Sequence, residues 1–208
     1  MEIILTGIAK SFGREAVFTG VDLRIAAGSR TAILGANGSG KSTLLQLVAG
    51  AGTPTAGTIA HRLGGRPLAP ALLYRHVSIA APYLELYEEL ALRETIVFHA
   101  RFKPLRGAPS ADEVARAARL EPHLEKPVAH FSSGMKQRLK LALAILSDTP
   151  LLLLDEPGSN LDADGLQWYR DLLRAHIAGR TLLVASNRRT EEHDLCTEAI
   201  EVERFKGA

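Results

Sequence analysis

Apolar residues follow three rhythms along this chain. Up to about residue 30 they alternate with polar ones. Ala16-Val17-Phe18 and Val21-Asp22-Leu23-Arg24-Ile25 read as strands of an antiparallel sheet, separated at Thr19-Gly20 and closed by Ala27-Gly28. Thr31-Ala32-Ile33-Leu34, Leu151-Leu152-Leu153-Leu154 and Thr181-Leu182-Leu183-Val184-Ala185 are instead short, uninterrupted apolar runs, the pattern of strands buried on both faces. The third rhythm is helical. A helix is predicted from Lys41 to near Gly50, followed by a loop over 50–57, and residues of about 82–148 are predicted to be mostly helical. Within that stretch Ser110-Ala111-Asp112-Glu113 fits a capping box. Further on, Leu139, Ala142, Leu143 and Leu146 recur at helical spacing opposite Lys136 and Lys140, with Pro150 as the expected stop. A later helix carries Leu166, Tyr169, Leu172, Leu173 and Ile177 on one face. Short apolar strands alternating with helices indicate a parallel sheet covered on both sides. The expected fold is α/β: a mostly parallel sheet, an N-terminal antiparallel β subdomain, and an inserted helical subdomain at about 82–148, in one domain over 1–208.

Composition narrows the class. With 208 residues, 46% hydrophobic and 23% charged, the chain hides roughly 70% of its unfolded surface on folding and needs no disulfide staples. Its one cysteine, Cys196, has no partner for an internal disulfide. The start, Met1-Glu2-Ile3-Ile4-Leu5, lacks a signal-peptide pattern, and no apolar run approaches the roughly 20 residues of a membrane span. A net charge of +2 gives no reason to expect nucleic acid as a partner.

The chemistry lies in local motifs. Gly35-Ala36-Asn37-Gly38-Ser39-Gly40-Lys41-Ser42-Thr43 matches the P-loop pattern, with a strand before it and a helix after it. Glycines let the backbone aim successive N–H groups at phosphate oxygens, and the helix N-terminus adds partial positive charge. Gly35, Asn37, Gly38, Ser39, Gly40, Lys41, Ser42 and Thr43 are therefore expected to cradle a nucleoside triphosphate. Lys41 would neutralise the β- and γ-phosphates, and Ser42 would ligate magnesium. Asp155-Glu156 ends the run of leucines. The first acid can hold the metal and Glu156 can polarise the attacking water.

Between these motifs stands Phe131-Ser132-Ser133-Gly134-Met135-Lys136-Gln137-Arg138, and after them Gly158-Ser159-Asn160-Leu161-Asp162. In order and spacing the set resembles the ATP-binding cassette (ABC) ATPases, with their P-loop, signature segment, acidic strand end and D-loop. The signature is imperfect, with Phe131, Ser133 and Met135 at positions where the family has Leu, Gly and Gln. The resemblance implies a P-loop NTPase core and a magnesium-dependent ATPase whose two copies, most simply a homodimer, close head to tail. Ser132, Ser133 and Gly134 of one copy would then meet the ATP held by the other. It further implies that Phe12, in Lys10-Ser11-Phe12-Gly13, stacks on adenine.

Two positions depart from that family. Pro82 stands where a glutamine would reach magnesium and the attacking water. Asn187 stands where a histidine would meet the γ-phosphate, and His193 is expected on the next helix. Glu156 is expected to keep the site hydrolytic, with slow turnover. The resemblance also implies an energy-coupling subunit of a transporter, peripheral on the cytoplasmic face of the membrane. Separate transmembrane subunits would dock near Tyr83, Leu84, Leu86 and Tyr87. The length resembles the short cassettes of exporters. A non-transport cassette ATPase and a slowly hydrolysing ATP-gated clamp are the alternatives.

Overall fold

The structure, a computed structural model, describes residues 1–187 and 189–206. Its first element is a long hairpin, β1 (Glu2–Phe12) and β2 (Glu15–Ile25). β2 runs unbroken through Thr19-Gly20, which forms a bulge rather than a turn. Its register against β1 shifts between Ile8↔Val21 and Lys10↔Phe18, and the extra residue is absorbed by local twist. Next come β3 (Arg30–Leu34), α1 (Lys41–Val48), β4 (Ala56–Leu63), the two-residue β5 (Arg66–Pro67) and β6 (Val77–Ala80). Three helices follow: α2 (Leu92–Phe102), α3 (Ala111–Ala117) and α4 (Ser133–Leu146). The chain continues through β7 (Leu151–Asp155), α5 (Ala163–His176), β8 (Thr181–Ser186), α6 (Thr190–His193) and β9 (Glu198–Glu201).

Among the described residues two sheets form. One is antiparallel, in the order β2-β1-β4-β5; the other is parallel, in the order β6-β7-β8-β3-β9. The uninterrupted apolar runs take the central places of the parallel sheet because its two faces feed two cores. Leu151, Leu153, Leu183 and Ala185 pack with Ile3, Leu5, Phe18, Leu44 and Leu45 under the antiparallel sheet and α1. Leu152, Leu154, Leu182 and Val184 pack with Leu139, Leu143, Trp168 and Tyr169 under the helices. Each such leucine contributes about 1.5–3 kcal/mol by leaving water.

The helical stretch is interrupted. Residues 81–91, between β6 and α2, form turns and extended chain, and the capping box at Ser110 and Glu113 opens α3 as expected. α4 ends at Leu146, four residues before Pro150. There the Ser147 hydroxyl donates back to Leu143 O at 2.6 Å. The buried Arg180 guanidinium donates to Ile145 O at 2.6 Å, and to Ser78 Oγ and Thr149 Oγ1 at 2.8 Å. These side chains satisfy last-turn carbonyls that the helix leaves open. Among the described residues no helix is long and apolar enough to cross a membrane.

Candidate functional site

The site forms where β3 stops. The chain leaves Leu34, loops through residues 35–40 and enters α1 at Lys41. Gly40 caps that helix with φ 102°, in the left-handed region, and a Cβ there would stand 2.6 Å from Val17 Cγ1. Only glycine allows both the conformation and the close approach to β2. α1 has no side-chain cap and no acid in its first turn, so its N-terminal amides present their positive end to an anion. Lys41 is 4% exposed, and its Nζ donates to Gly35 O at 2.9 Å and Ala36 O at 3.0 Å. An ammonium carries three donors, which leaves one N–H for a phosphate oxygen. The Ser39 hydroxyl is enclosed in the loop without a hydrogen-bond partner.

β7 brings the acids. Asp155 is 1% exposed, and neither of its carboxylate oxygens has a hydrogen-bond partner. Burial pushes its pKa above the ordinary value; the Ser42 hydroxyl beside it pulls the other way, Glu156 adds to the rise and Lys41 opposes it. The Ser42 hydroxyl is near enough to act on the charge but forms no hydrogen bond of good geometry, and an enclosed carboxylate so poorly satisfied is costly unless a cation joins it. With the Ser42 hydroxyl it makes a pair of hard oxygen ligands that fits magnesium. Among the described residues no group of three or more His, Cys, Asp or Glu could hold a metal. Magnesium suits such a sparse site because it keeps waters and substrate phosphates as its other ligands.

Glu156 follows with φ 44°, strained for a residue bearing a Cβ. Its N–H donates to Ala185 O at 2.9 Å and its carbonyl accepts from Ser159 N at 3.0 Å. Glu156 lines a cavity of about 220 Å³ with Val17, Asn37, Gly38, Gly40, Lys41, Ser42 and Thr43. β3, α1 and β7 thus bring the cradle and the acids together. Phe12 does not line this cavity; it is exposed, with Lys10 Nζ 4.8 Å from its ring centroid. Val17, missed in the sequence because it sits within an ordinary strand pattern, is the apolar group that does.

Ser132, Ser133 and Gly134 lie elsewhere. Ser132 caps α4, its hydroxyl accepting from Met135 N at 3.2 Å, and Ser133 is the first helical residue. A Cβ on Gly134 would lie 3.0 Å from Asn160 O, so the start of α4 is pressed against the loop that follows Glu156. Ser132, Gly134 and Met135 line a second cavity, of about 370 Å³, with Asn160, Asp162, Arg119, His123 and Arg138. Gln137 Nε2 also donates to Pro157 O at 3.0 Å, tying α4 to the residue after Glu156.

The two departures flank the acids. Parallel pairing of Ala80 with Leu154 brings residues 81–83 alongside Asp155 and Glu156. Pro82 is exposed and offers no polar side-chain atom. The polar group this segment brings is the Tyr83 hydroxyl. The residue as a whole is 42% exposed, but desolvation of its hydroxyl pushes the pKa up to about 12, with the Asp155 charge adding and the Gln46 amide opposing. Sequence reasoning grouped Tyr83 with an apolar patch. Asn187 is exposed and directly follows β8, whose Ala185 pairs with Asp155. His193 ends α6, half-buried.

Similarity to known proteins agrees with this geometry. The family model described as ABC transporter matches residues 18–159. Nod factor export ATP-binding protein I of Sinorhizobium fredii (strain NBRC 101917 / NGR234) is 32% identical over 205 residues, covering 97% of this chain and 60% of that protein. Its namesake from Rhizobium johnstonii (strain DSM 114642 / LMG 32736 / 3841) is 33% identical over 201 residues, covering 93% and 64%. The chain therefore spans less than two thirds of the length of these curated relatives. A solved structure titled as the ATP binding subunit of an ABC transporter superposes with a TM-score of 0.81 at 26% identity, over 98% of this chain and 87% of that one. Because the family match runs from β2 through the P-loop and the start of α4 to the residues after Glu156, the chain belongs to the ABC transporter family.

Proposed function

We propose that this chain is the ATP-binding and ATP-hydrolysing subunit of an ABC transporter, acting as a dimer that closes around ATP to drive separate transmembrane subunits. The observation that carries the reading is the division of the site. One cavity holds the P-loop, Lys41 and Glu156, and another holds Ser132 and Gly134, so a second copy is needed to bring the two halves onto one nucleotide.

The chain's own groups have separable tasks. Amides of the loop and of the first turn of α1 hold the phosphates, and the free N–H of Lys41 neutralises them. Gly35, Asn37, Gly38, Ser39, Gly40 and Thr43 shape that cradle, and the exposed ring of Phe12 stacks on adenine. Ser42 and Asp155 would hold magnesium, which would offset the negative charge of the bound polyphosphate. Glu156 accepts a proton from the attacking water. Asn187 donates a hydrogen bond to the terminal phosphate but stays neutral. Ser132, Ser133 and the N-terminus of α4 face the terminal phosphate carried by the other copy. Loss of that phosphate removes the contact that keeps the copies closed. The names of the relatives, Nod factor export ATP-binding proteins, support an exporter. The expected place is the cytoplasmic face of the membrane.

Docking has a candidate surface. Tyr87 packs edge-on against Phe98 with centroids 5.2 Å apart, Phe98 lies 5.0 Å from Phe102, and all three are exposed beside Val97. Leu86, grouped with this patch in the sequence, instead packs partly against the helical core. A Tyr87→Ser/Phe98→Ser variant is expected to lose co-purification with detergent-solubilised transmembrane subunits while binding ATP within about threefold of the wild type. Undiminished co-purification would contradict the assignment.

Pro82 and Asn187, standing where the family pattern has glutamine and histidine, are expected to slow ATP hydrolysis. One positioned contact to a transition state is commonly worth on the order of a hundredfold in rate. A Pro82→Gln/Asn187→His variant is accordingly expected to release phosphate about tenfold faster or more, and no gain would contradict slow turnover arising at these positions. Steady-state phosphate release with magnesium and ATP tests the ATPase reading itself. It should be present in the wild type and lost in Lys41→Ala.

A further inference from the structure

α6 is a single helical turn, yet its Glu192 is 2% exposed. The two oxygens of this carboxylate are shared between two loops. Oε1 accepts from Gly158 N at 3.2 Å, and Oε2 accepts from the Ser186 hydroxyl at 2.5 Å. The main chain of Glu192 is anchored as well, since Tyr169 Oη donates to its carbonyl oxygen at 2.8 Å from α5. Ser186 Oγ also accepts from Arg189 N at 3.2 Å. A Cβ on Gly158 would stand 2.6 Å from Glu192 Oε1, 3.0 Å from Glu192 Cγ and 2.9 Å from Leu166 Cδ2, so glycine is what admits the carboxylate. Burial raises the Glu192 pKa; the Ser186 hydroxyl, the Gly158 amide and Arg189 oppose the rise and Glu156 adds to it. A carboxylate in such a place is retained only where its contacts compensate for lost hydration.

Each tethered residue adjoins a group of the hydrolytic site. Gly158 comes two residues after Glu156, whose φ of 44° must be held by its surroundings. Ser186 immediately precedes Asn187. We infer that Glu192 is a positioning residue: it locks the loop after β7 to the end of β8, so that Glu156 and Asn187 address the same terminal phosphate. Glu192 lines neither the cavity of the P-loop nor that of Ser132, and the inference rests on the ATPase reading above. Its role is one of reach rather than charge. Glutamine has the same length, can accept from Gly158 N with its carbonyl and can donate to Ser186 Oγ with its amide. Aspartate keeps the charge but is one methylene short of both partners.

The test compares Glu192→Ala, Glu192→Asp and Glu192→Gln in the full chain, with Leu173→Ala, a core truncation on α5, as the control for lost stability. Misplacing a reacting group by about 1 Å can cost on the order of a hundredfold in rate. Alanine and aspartate are therefore expected to lower kcat about tenfold to a hundredfold with KM for ATP within about threefold, glutamine to stay within about threefold of the wild type, and Leu173→Ala to keep kcat below its melting range. Hydrogen exchange without nucleotide gives a second readout: the amides of Gly158 and Asn187 should exchange faster together in the alanine and aspartate variants only. Unchanged exchange in Glu192→Ala overturns the positioning role. So does an unchanged kcat, an equal fall in Glu192→Gln, or the same fall in Leu173→Ala at matched loss of Tm. Absence of phosphate release by the wild type overturns the ATPase reading, and the inference falls with it.

Discussion

Asp155→Asn is expected to abolish ATP turnover and at the same time to raise the melting temperature. The two effects share one cause. The carboxylate is enclosed at the end of β7 with neither oxygen hydrogen-bonded, which suits a divalent cation and penalises the fold without one. Removing the charge while keeping the shape relieves a burden on the order of 1–2 kcal/mol, and for a domain of this size that is about 2–8 °C. The sign follows from the raised pKa. Below the ordinary carboxylate value of 3.8 the group is protonated both folded and unfolded, and burying it carries no charge penalty. As pH climbs through the higher folded value, the native state must hold a buried charge and stability is lost. The gain from asparagine should thus be present near pH 7 and fade toward pH 4. Thermal melts without nucleotide, paired with phosphate-release assays, check both halves. A variant that melts lower than the wild type at neutral pH, or that hydrolyses normally, would contradict this role for Asp155.

Glu156→Gln is expected to slow hydrolysis by about a hundredfold or more while leaving ATP affinity within about threefold. Glutamine preserves volume but takes no proton, and a positioned general base typically contributes 10²–10⁴-fold. The backbone should tolerate the change, because the strained φ of 44° is held by main-chain bonds to Ala185 and Ser159 rather than by the carboxylate. Single-turnover phosphate release alongside equilibrium nucleotide binding separates the two quantities. Turnover within tenfold of the wild type would remove Glu156 from the role of base.

How legible each part was depended on the distance between the residues that specify it. The P-loop is a local code, and β7 and β8 could be read as central strands because leucine on both faces of a strand has few other uses. Edges and long-range partners were less visible. β9 carries Glu198 and Glu201 at the edge of the parallel sheet, and its polarity hid it. The bulge at Thr19-Gly20 looked like a turn because glycine serves both. Glu192 and Arg180 gave no sign in the sequence of being buried, since Glu192 meets Gly158 across 34 positions and Arg180 meets Ser78 across 102. Tyr83 looked apolar until pairing of β6 with β7 brought its hydroxyl toward Asp155. The order of motifs pointed to Ser132 and Gly134 as candidate site residues. That they line a cavity apart from Lys41 is a matter of three dimensions.

Sedimentation velocity of Glu156→Gln, with and without magnesium and ATP, bears most directly on the shared nucleotide. The expected result is a monomer that converts to a dimer on adding ATP, with Ser132→Arg in the same background staying monomeric despite unchanged ATP binding. A protein that saturates with ATP yet sediments as a monomer at every concentration, or a dimer indifferent to the Ser132 substitution, would contradict it.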